Sequence, residues 1–316
     1  PPPHTPPPPP TTTQFDRRRQ RQMCIRDRSN PVSFETLLNC QQLTERIDRP
    51  DWRIFDCRFD LAAPQRGEQS YAQAHLPGAF YAHLDRDLSS PITPQSGRHP
   101  LPDVDRLCTW LGDHGVGSDT QVVIYDDTGG TMAVRLWWLL RWLGHNRVAL
   151  LDGGWQAWTQ AGLPQQETSP PAVEAVQFSG SADQAQLVSS EALERQLQGG
   201  GDQLWLMDAR TPERFRGEAE PIDPVAGHIP GAFNLPLQDN LDSDGRFKPA
   251  PSLRAMYLEA FAGRPPESMV AMCGSGVTAC HNLLAMEIAG LHGGRLYAGS
   301  WSEWIRDAAR PVATGD

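Results

Sequence analysis

Apolar residues fall in two kinds of run along the chain. Short runs with little polar interruption, at Arg53–Arg58, Val122–Tyr125, Val148–Leu151, Leu204–Asp208, Met269–Met272 and Arg295–Tyr297, predict strands buried on both faces. Longer stretches with apolar positions every three or four residues predict helices. They lie at Asp103–His114, Met132–Leu143 and Trp155–Ala161, and again at Ser189–Leu197, Leu253–Phe261, Val277–Ala289 and Trp301–Ala308. Strand and helix alternate, so the fold class is α/β, with a mainly parallel sheet covered by helices on both faces.

The pattern occurs twice. His-Leu-Pro-Gly-Ala at 75–79 returns as His-Ile-Pro-Gly-Ala at 228–232, and Phe-Asp-Cys-Arg at 55–58 as Met-Asp-Ala-Arg at 207–210. The strand ending at Tyr125 matches the one ending at Met272, and the segment around Trp155 and Trp158 matches that around Trp301 and Trp304. One domain is therefore expected in two copies, at residues 31–165 and 187–312, joined by a polar, proline-bearing linker at 166–186.

Composition adds a tail and a charge. Of 29 prolines, eight stand in the first ten residues and arginines follow, so residues 1–30 are read as a disordered Pro/Arg-rich tail outside both domains. Without the tail, 22 basic residues face 36 acidic ones, a balance of −14. That excludes a nonspecific hold on nucleic acid or an anionic membrane surface, and no apolar run is long enough to span a bilayer. Lys248 is the one lysine, so an anion site must use arginine or backbone amides. The six cysteines form no CxxC pair, which argues against a zinc site or a disulfide framework and for reduced thiols in the cytoplasm. Neither GxGxxG nor GxxxxGK[ST] occurs, so no nucleotide cofactor is expected.

Ligands in such sheets bind at the carboxyl ends of the strands. There the second copy carries Cys273-Gly274-Ser275-Gly276-Val277-Thr278 ahead of the helix that holds Cys280. Two glycines let the backbone curl close to a ligand, and free amides at the helix start favour an anion. A cysteine within such a nest is expected to ionise near neutrality and act as a nucleophile; the competing reading is an inert buried thiol. For Cys280, inside the helix, the inert reading is preferred. The tryptophans are assigned to packing.

The Cys-Gly-Ser-Gly-Val-Thr-Ala-Cys segment, the paired His-Leu/Ile-Pro-Gly-Ala segments and the closing Gly-Ser-Trp-Ser-Glu-Trp resemble the two-domain sulfurtransferases of the rhodanese superfamily, over roughly residues 31–312. The resemblance implies that Cys273 takes a sulfane sulfur from a donor, holds it as a persulfide, and passes it to cyanide or to a thiol acceptor such as thioredoxin. It also implies an inactive first copy, and there Asp126 aligns with Cys273. Members with basic residues after the cysteine prefer thiosulfate, whereas Gly-Ser-Gly accompanies 3-mercaptopyruvate, so the resemblance implies a 3-mercaptopyruvate donor, with thiosulfate:cyanide sulfur transfer as the alternative. The resemblance further points to Arg210 as holder of the donor carboxylate and Ser275 as partner of its carbonyl or a proton relay. Gly274, Gly276, Val277 and Thr278 complete the loop. Arg216 is divided between a second carboxylate contact and a solvated role. His75 and Arg98 are assigned to the interdomain cleft, His75 without an evident carboxylate partner, and His228 has an equal claim to a structural role. Phosphatases related to rhodanese carry an arginine six positions after the cysteine; Ala279 stands there. A noncatalytic binding module would not need Cys273.

Overall fold

The central strand of each half is buried end to end, which is why it reads as an uninterrupted apolar run. In the first half this is β4 (Gln121–Tyr125), with β2 (Trp52–Asp56) and then β3 (Ala79–Tyr81) on one side and β5 (Val148–Leu151) and then β1 (Leu37–Leu38) on the other, all parallel. In the second half, β8 (Met269–Met272) lies between β6 (Trp205–Asp208) and β9 (Arg295–Leu296), with β7 (Phe233–Asn234) outside β6. A parallel bridge from Leu187 to Leu296 stands where β1 pairs β5, so the two orders superimpose. This computed structural model describes residues 33–170 and 172–316. The Pro/Arg-rich tail at 1–30 lies outside the described residues.

Each copy sends a strand-to-helix loop out of its central strand into a helix: Val134–Trp142 in the first, Ala279–Ile288 in the second. Both helices are buried nearly all round, as expected of helices apolar on every face. They meet within one apolar cluster that runs through both halves, from Leu136 and Leu140 to Leu283 and Leu284, and includes Cys273. This shared core makes Phe34–Asp316 one compact unit.

The tryptophans pack as expected, and four of them satisfy their indole N–H groups on carbonyls: Trp137 on Glu35, Trp158 on Pro164, Trp301 on Val225 and Trp304 on Pro311, all at 2.8–2.9 Å. The helix expected at Trp301–Ala308 spans only Ser300–Trp304. Among the described residues no helix is long and apolar enough to cross a membrane.

Candidate active site

Cys273 is the first residue past β8, and its thiol is 1% exposed at the floor of a cavity of about 150 Å3. The loop curls back over the sulfur, and the Gly276 N–H donates to Sγ at 3.1 Å. Gly276 has φ +82°, and a Cβ there would collide with the carbonyl of Ala298, so glycine is required twice over. Gly274, Ser275, Val277 and Thr278 line the same cavity. The loop is pinned from the far side. The Cys273 N–H donates to Ser300 Oγ at 3.1 Å, while the Trp301 and Ser302 N–H groups donate to the Cys273 and Gly274 carbonyls at 3.0 and 2.9 Å. Cys280 packs its thiol toward the Gly276 carbonyl, and burial pushes its pKa up to about 12, as suits an inert side chain.

The corresponding loop of the first copy shows what such a curl binds. Asp126 points its carboxylate inward, where Oδ1 accepts from the N–H groups of Thr128 and Gly130 and Oδ2 from those of Met132 and Ala133, all at 2.8–2.9 Å. The first loop is an anion nest filled by its own side chain.

Three sequence-derived assignments require correction. Arg210 borders the cavity, but its donors are engaged elsewhere. Nε and Nη2 hold Asp208 at 2.7–3.1 Å, Nη2 also reaches the Gly227 carbonyl at 2.8 Å, and Nη1 is 3.4 Å from Glu220. Arg58 grips Asp56 and the Ala74 carbonyl in the same way in the copy without a nucleophile, and each arginine lies over a tryptophan, Trp301 or Trp155. The repeated Asp-x-Arg unit is thus a buried clamp of the fold, and that repetition was visible in the sequence. Arg216 faces away and pairs with Glu218 at 2.8 Å near the surface. His75 is buried in the first copy, stacked on Tyr71 with Nδ1 on the Tyr71 carbonyl, and His228 does the same on Phe215. Neither histidine lines the cavity of Cys273.

The cations over the loop are Arg98 and Arg214. A Cβ on Gly274 would lie 2.8 Å from Arg98 Nη2 and 3.4 Å from Arg214 Nη2, so glycine at 274 leaves room for two guanidinium groups beside the loop. Arg214 stands two residues before Arg216 on the five-residue helix Pro212–Arg216, so the two point to opposite sides. Arg98 reaches over from the first copy, where its N–H donates to Ser302 Oγ at 3.1 Å.

The next residue, His99, completes the site. Its Nδ1 is 2.7 Å from Ser275 Oγ and its Nε2 is 3.2 Å from Asp85 Oδ1. Burial holds His99 below the usual histidine range, with Asp85 opposing, and the hydrogen bond to His99 holds Asp85 below the usual carboxylate range. A neutral His99 donating from Nε2 to Asp85 leaves Nδ1 free to accept the Ser275 hydroxyl proton. A histidine paired with a carboxylate is therefore present, and it is His99 rather than His75. Asp85 and His99 sit between β3 and the helix Val104–Asp113; the corresponding stretch of the second copy, 235–249, is shorter and holds no histidine, so the repeat did not reveal them.

Residues 39–161 and 189–307 each match the Rhodanese-like domain family. The chain is 50% identical over 287 residues to a probable 3-mercaptopyruvate sulfurtransferase of Pseudomonas aeruginosa, covering 90% of this chain and all of that protein. It is 37% identical over 284 residues to the putative thiosulfate sulfurtransferase SseB of Mycobacterium tuberculosis, covering 89% of this chain and 98% of that protein. The solved 3-mercaptopyruvate sulfurtransferase from Leishmania major superposes with a TM-score of 0.75 at 30% identity, over 85% of this chain and 74% of that one. With both copies matched and relatives aligned along nine-tenths of its length, the chain belongs to the rhodanese-like family, as a two-domain sulfurtransferase.

Proposed function

We propose that this sulfurtransferase takes its sulfur from 3-mercaptopyruvate, carries it as a persulfide on Cys273, and delivers it to a reduced thiol such as thioredoxin, or to cyanide. The reading is carried by the convergence on one small cavity of Cys273 Sγ, the Ser275–His99 pair, and the guanidinium groups of Arg98 and Arg214.

Arg98 and Arg214 take the donor carboxylate, which brings the donor sulfur over Cys273 Sγ. The Cys273 thiolate attacks that sulfur; the S–S bond forms as the C–S bond breaks, and the bonding pair moves into the enolate of pyruvate. The proton first carried by the donor thiol is accepted by Ser275 Oγ as Ser275 passes its own to His99; Ser275 then gives a proton to the methylene carbon as His99 returns the one it holds, so pyruvate leaves, the relay is restored and the persulfide remains. The Gly276 N–H and the other loop amides stabilise the sulfur anion, the role that four N–H groups fill for Asp126. An acceptor nucleophile then attacks the outer sulfur and frees the thiolate. A reduced Cys273 suits the cytoplasm, and the five described cysteines are all free.

The ion balance favours a monocarboxylate over thiosulfate, because the arginines at the cleft already face Asp223 and Glu220. The deciding measurement is kcat/KM for the two donors. A higher value for 3-mercaptopyruvate is expected, and a clear preference for thiosulfate overturns the donor assignment. Cys273→Ser is expected to abolish the mass gain of one sulfur atom on incubation with donor; its survival overturns the nucleophile.

A further inference from the structure

Arg98 and Arg214 approach Gly274 from different copies of the domain, and a single carboxylate stands behind both. Asp223 pairs through Oδ1 with Nη1 of Arg98 and through Oδ2 with Nη2 of Arg214, the latter at 3.3 Å. Its side chain is 3% exposed, against 23% and 15% for the two arginines, so the carboxylate forms the buried end of the cluster and the guanidinium groups its open end. Ile222, the neighbouring residue, reaches the cavity wall.

Glu220 holds this arrangement in place. It accepts the N–H groups of Ile222 and Asp223 at 3.1 and 3.0 Å, pairs with Arg214 at 2.9 Å and lies 3.4 Å from Arg210. Asp223 is thereby fixed as a second negative charge beside arginines that a first one already serves. Arg98, Arg210 and Arg214 face Asp208, Glu220 and Asp223, so the cluster is electrically neutral, and no step of sulfur transfer described above employs Asp223.

Resting on that sulfur-transfer reading, we infer that Asp223 is a specificity-determining residue: its buried carboxylate aligns Arg98 with Arg214 and cancels their excess charge, so that the cleft accepts a monoanionic donor and disfavours a dianionic one. Two guanidinium groups converging on one glycine repel each other, and a shared counter-ion removes that repulsion. The same counter-ion opposes every negative charge that enters, once for a monocarboxylate and twice for thiosulfate. Binding of the monocarboxylate then depends on the directed N–H groups rather than on net charge.

Asp223→Asn keeps the shape and one acceptor oxygen while removing the charge. The ratio of kcat/KM for 3-mercaptopyruvate to that for thiosulfate is expected to fall by about tenfold, mainly through a lower KM for thiosulfate, because the added unit of positive potential acts more strongly on the dianion. Asp223→Glu keeps the charge and displaces the arginines; it is expected to change kcat and leave the ratio in place. A folded Asn variant with an unchanged ratio, or a Glu variant whose ratio moves as far as that of Asn, overturns the inference. Should Asp223→Asn not fold, competitive inhibition of the unmodified protein decides: sulfate is expected to bind no more tightly than pyruvate, and tighter binding of sulfate overturns the inference. Failure of the donor reading is a separate result, namely thiosulfate preference or absence of persulfide in the unmodified chain. Asp223 is judged by the change between variants.

Discussion

Arg135, in the copy without a nucleophile, donates from Nη1 to the carbonyl of Gly276, in the loop that curls over Cys273, at 3.2 Å. The same guanidinium donates to the His99 carbonyl at 2.9 Å and to those of Pro100 and Leu88 at 3.3 Å, and it is wholly buried with carbonyls as its partners. One cation from the first copy thus holds both the sulfur loop and the segment that presents His99 to Ser275. This gives the first copy a reason to persist: it supplies Arg98, His99, Asp85 and Arg135, although its own loop is closed by Asp126.

Arg135→Met is expected to leave the His99 and Leu88 carbonyls without a donor, to weaken the hold on those of Gly276 and Pro100, and to cost on the order of 3 kcal/mol, as removal of one member of a buried polar network does. At temperatures where the variant remains folded, kcat is expected to fall more than KM rises, because Gly276 and His99 lose their fixed positions while Arg98 and Arg214 stay. Thermal unfolding followed by steady-state kinetics checks both parts. A variant with ordinary kcat would leave Arg135 with a purely structural role.

Much of the fold is legible in the chain because the central strands are buried on both faces and the repeat duplicates each signal. The edge strands β1, β3 and β7 are not, since two or three residues carry no periodicity. For the site, the division is physical. Cys273 and its glycines lie on one continuous loop whose shape follows from local backbone chemistry, so the sequence displays them together. Arg98, which the sequence assigns to the interdomain cleft, meets His99, Asp85 and Arg214 only when two domains pack, and nothing local marks those three. Which of Arg214 and Arg216 faces the cavity is set by the direction of a helix barely more than one turn long. The presence of Arg58 at the place of Arg210 in the copy without a nucleophile marks that arginine as part of the repeated fold.

The pH dependence follows from His99. The proposed transfer requires its neutral form, and burial holds its pKa below the ordinary 6.5, so the acid limb of kcat/KM is expected below pH 6.5. Asp85 opposes that depression. Asp85→Asn is therefore expected to move the limb to still lower pH while reducing kcat, since the imidazole loses the partner that orients it. A pH profile of both proteins between about pH 5 and 8 covers the window. A limb that moved upward in the variant would contradict the assignment.

Ser300 has φ +53°, a left-handed conformation unfavourable to any residue with a Cβ, and in the first copy the corresponding Gly154 has the same angle. Where a nucleophile exists, the chain keeps a serine in the strained position, and its hydroxyl accepts the Cys273 N–H while donating to the Tyr297 carbonyl at 2.9 Å. Ser300→Gly relieves the strain and Ser300→Ala retains it, so the glycine variant is expected to be more stable than the alanine variant by about 1 kcal/mol. Persulfide formation is expected to slow to the same degree in both, since either change leaves the Cys273 amide without its partner. Denaturant titration and stopped-flow kinetics separate the two effects; equal stability of the variants would show that no strain is stored there.

His281 ties the helix that follows Cys273 to the loop of the first copy. Its Nε2 donates to the Gly129 carbonyl at 2.9 Å, its Nδ1 accepts from Asn240 Nδ2 at 3.0 Å, and its ring stacks on Phe247 at 4.5 Å. Protonation would set an N–H against the Asn240 amide in a fully buried space. Burial accordingly pushes the pKa down to about 4 from an ordinary 6.5. The folded state thus releases its proton where the unfolded chain still holds one. The contribution to stability is complete above pH 6.5 and is lost as pH falls from there toward 4, with a total of about 3 kcal/mol. His281→Gln, which does not titrate, is expected to flatten the stability profile across that window, even if it lowers stability at every pH. Urea titrations at intervals from pH 7 to pH 4 measure the slope. An unchanged slope in the variant would place the acid sensitivity of the interdomain contact on another group, the buried carboxylates first among them.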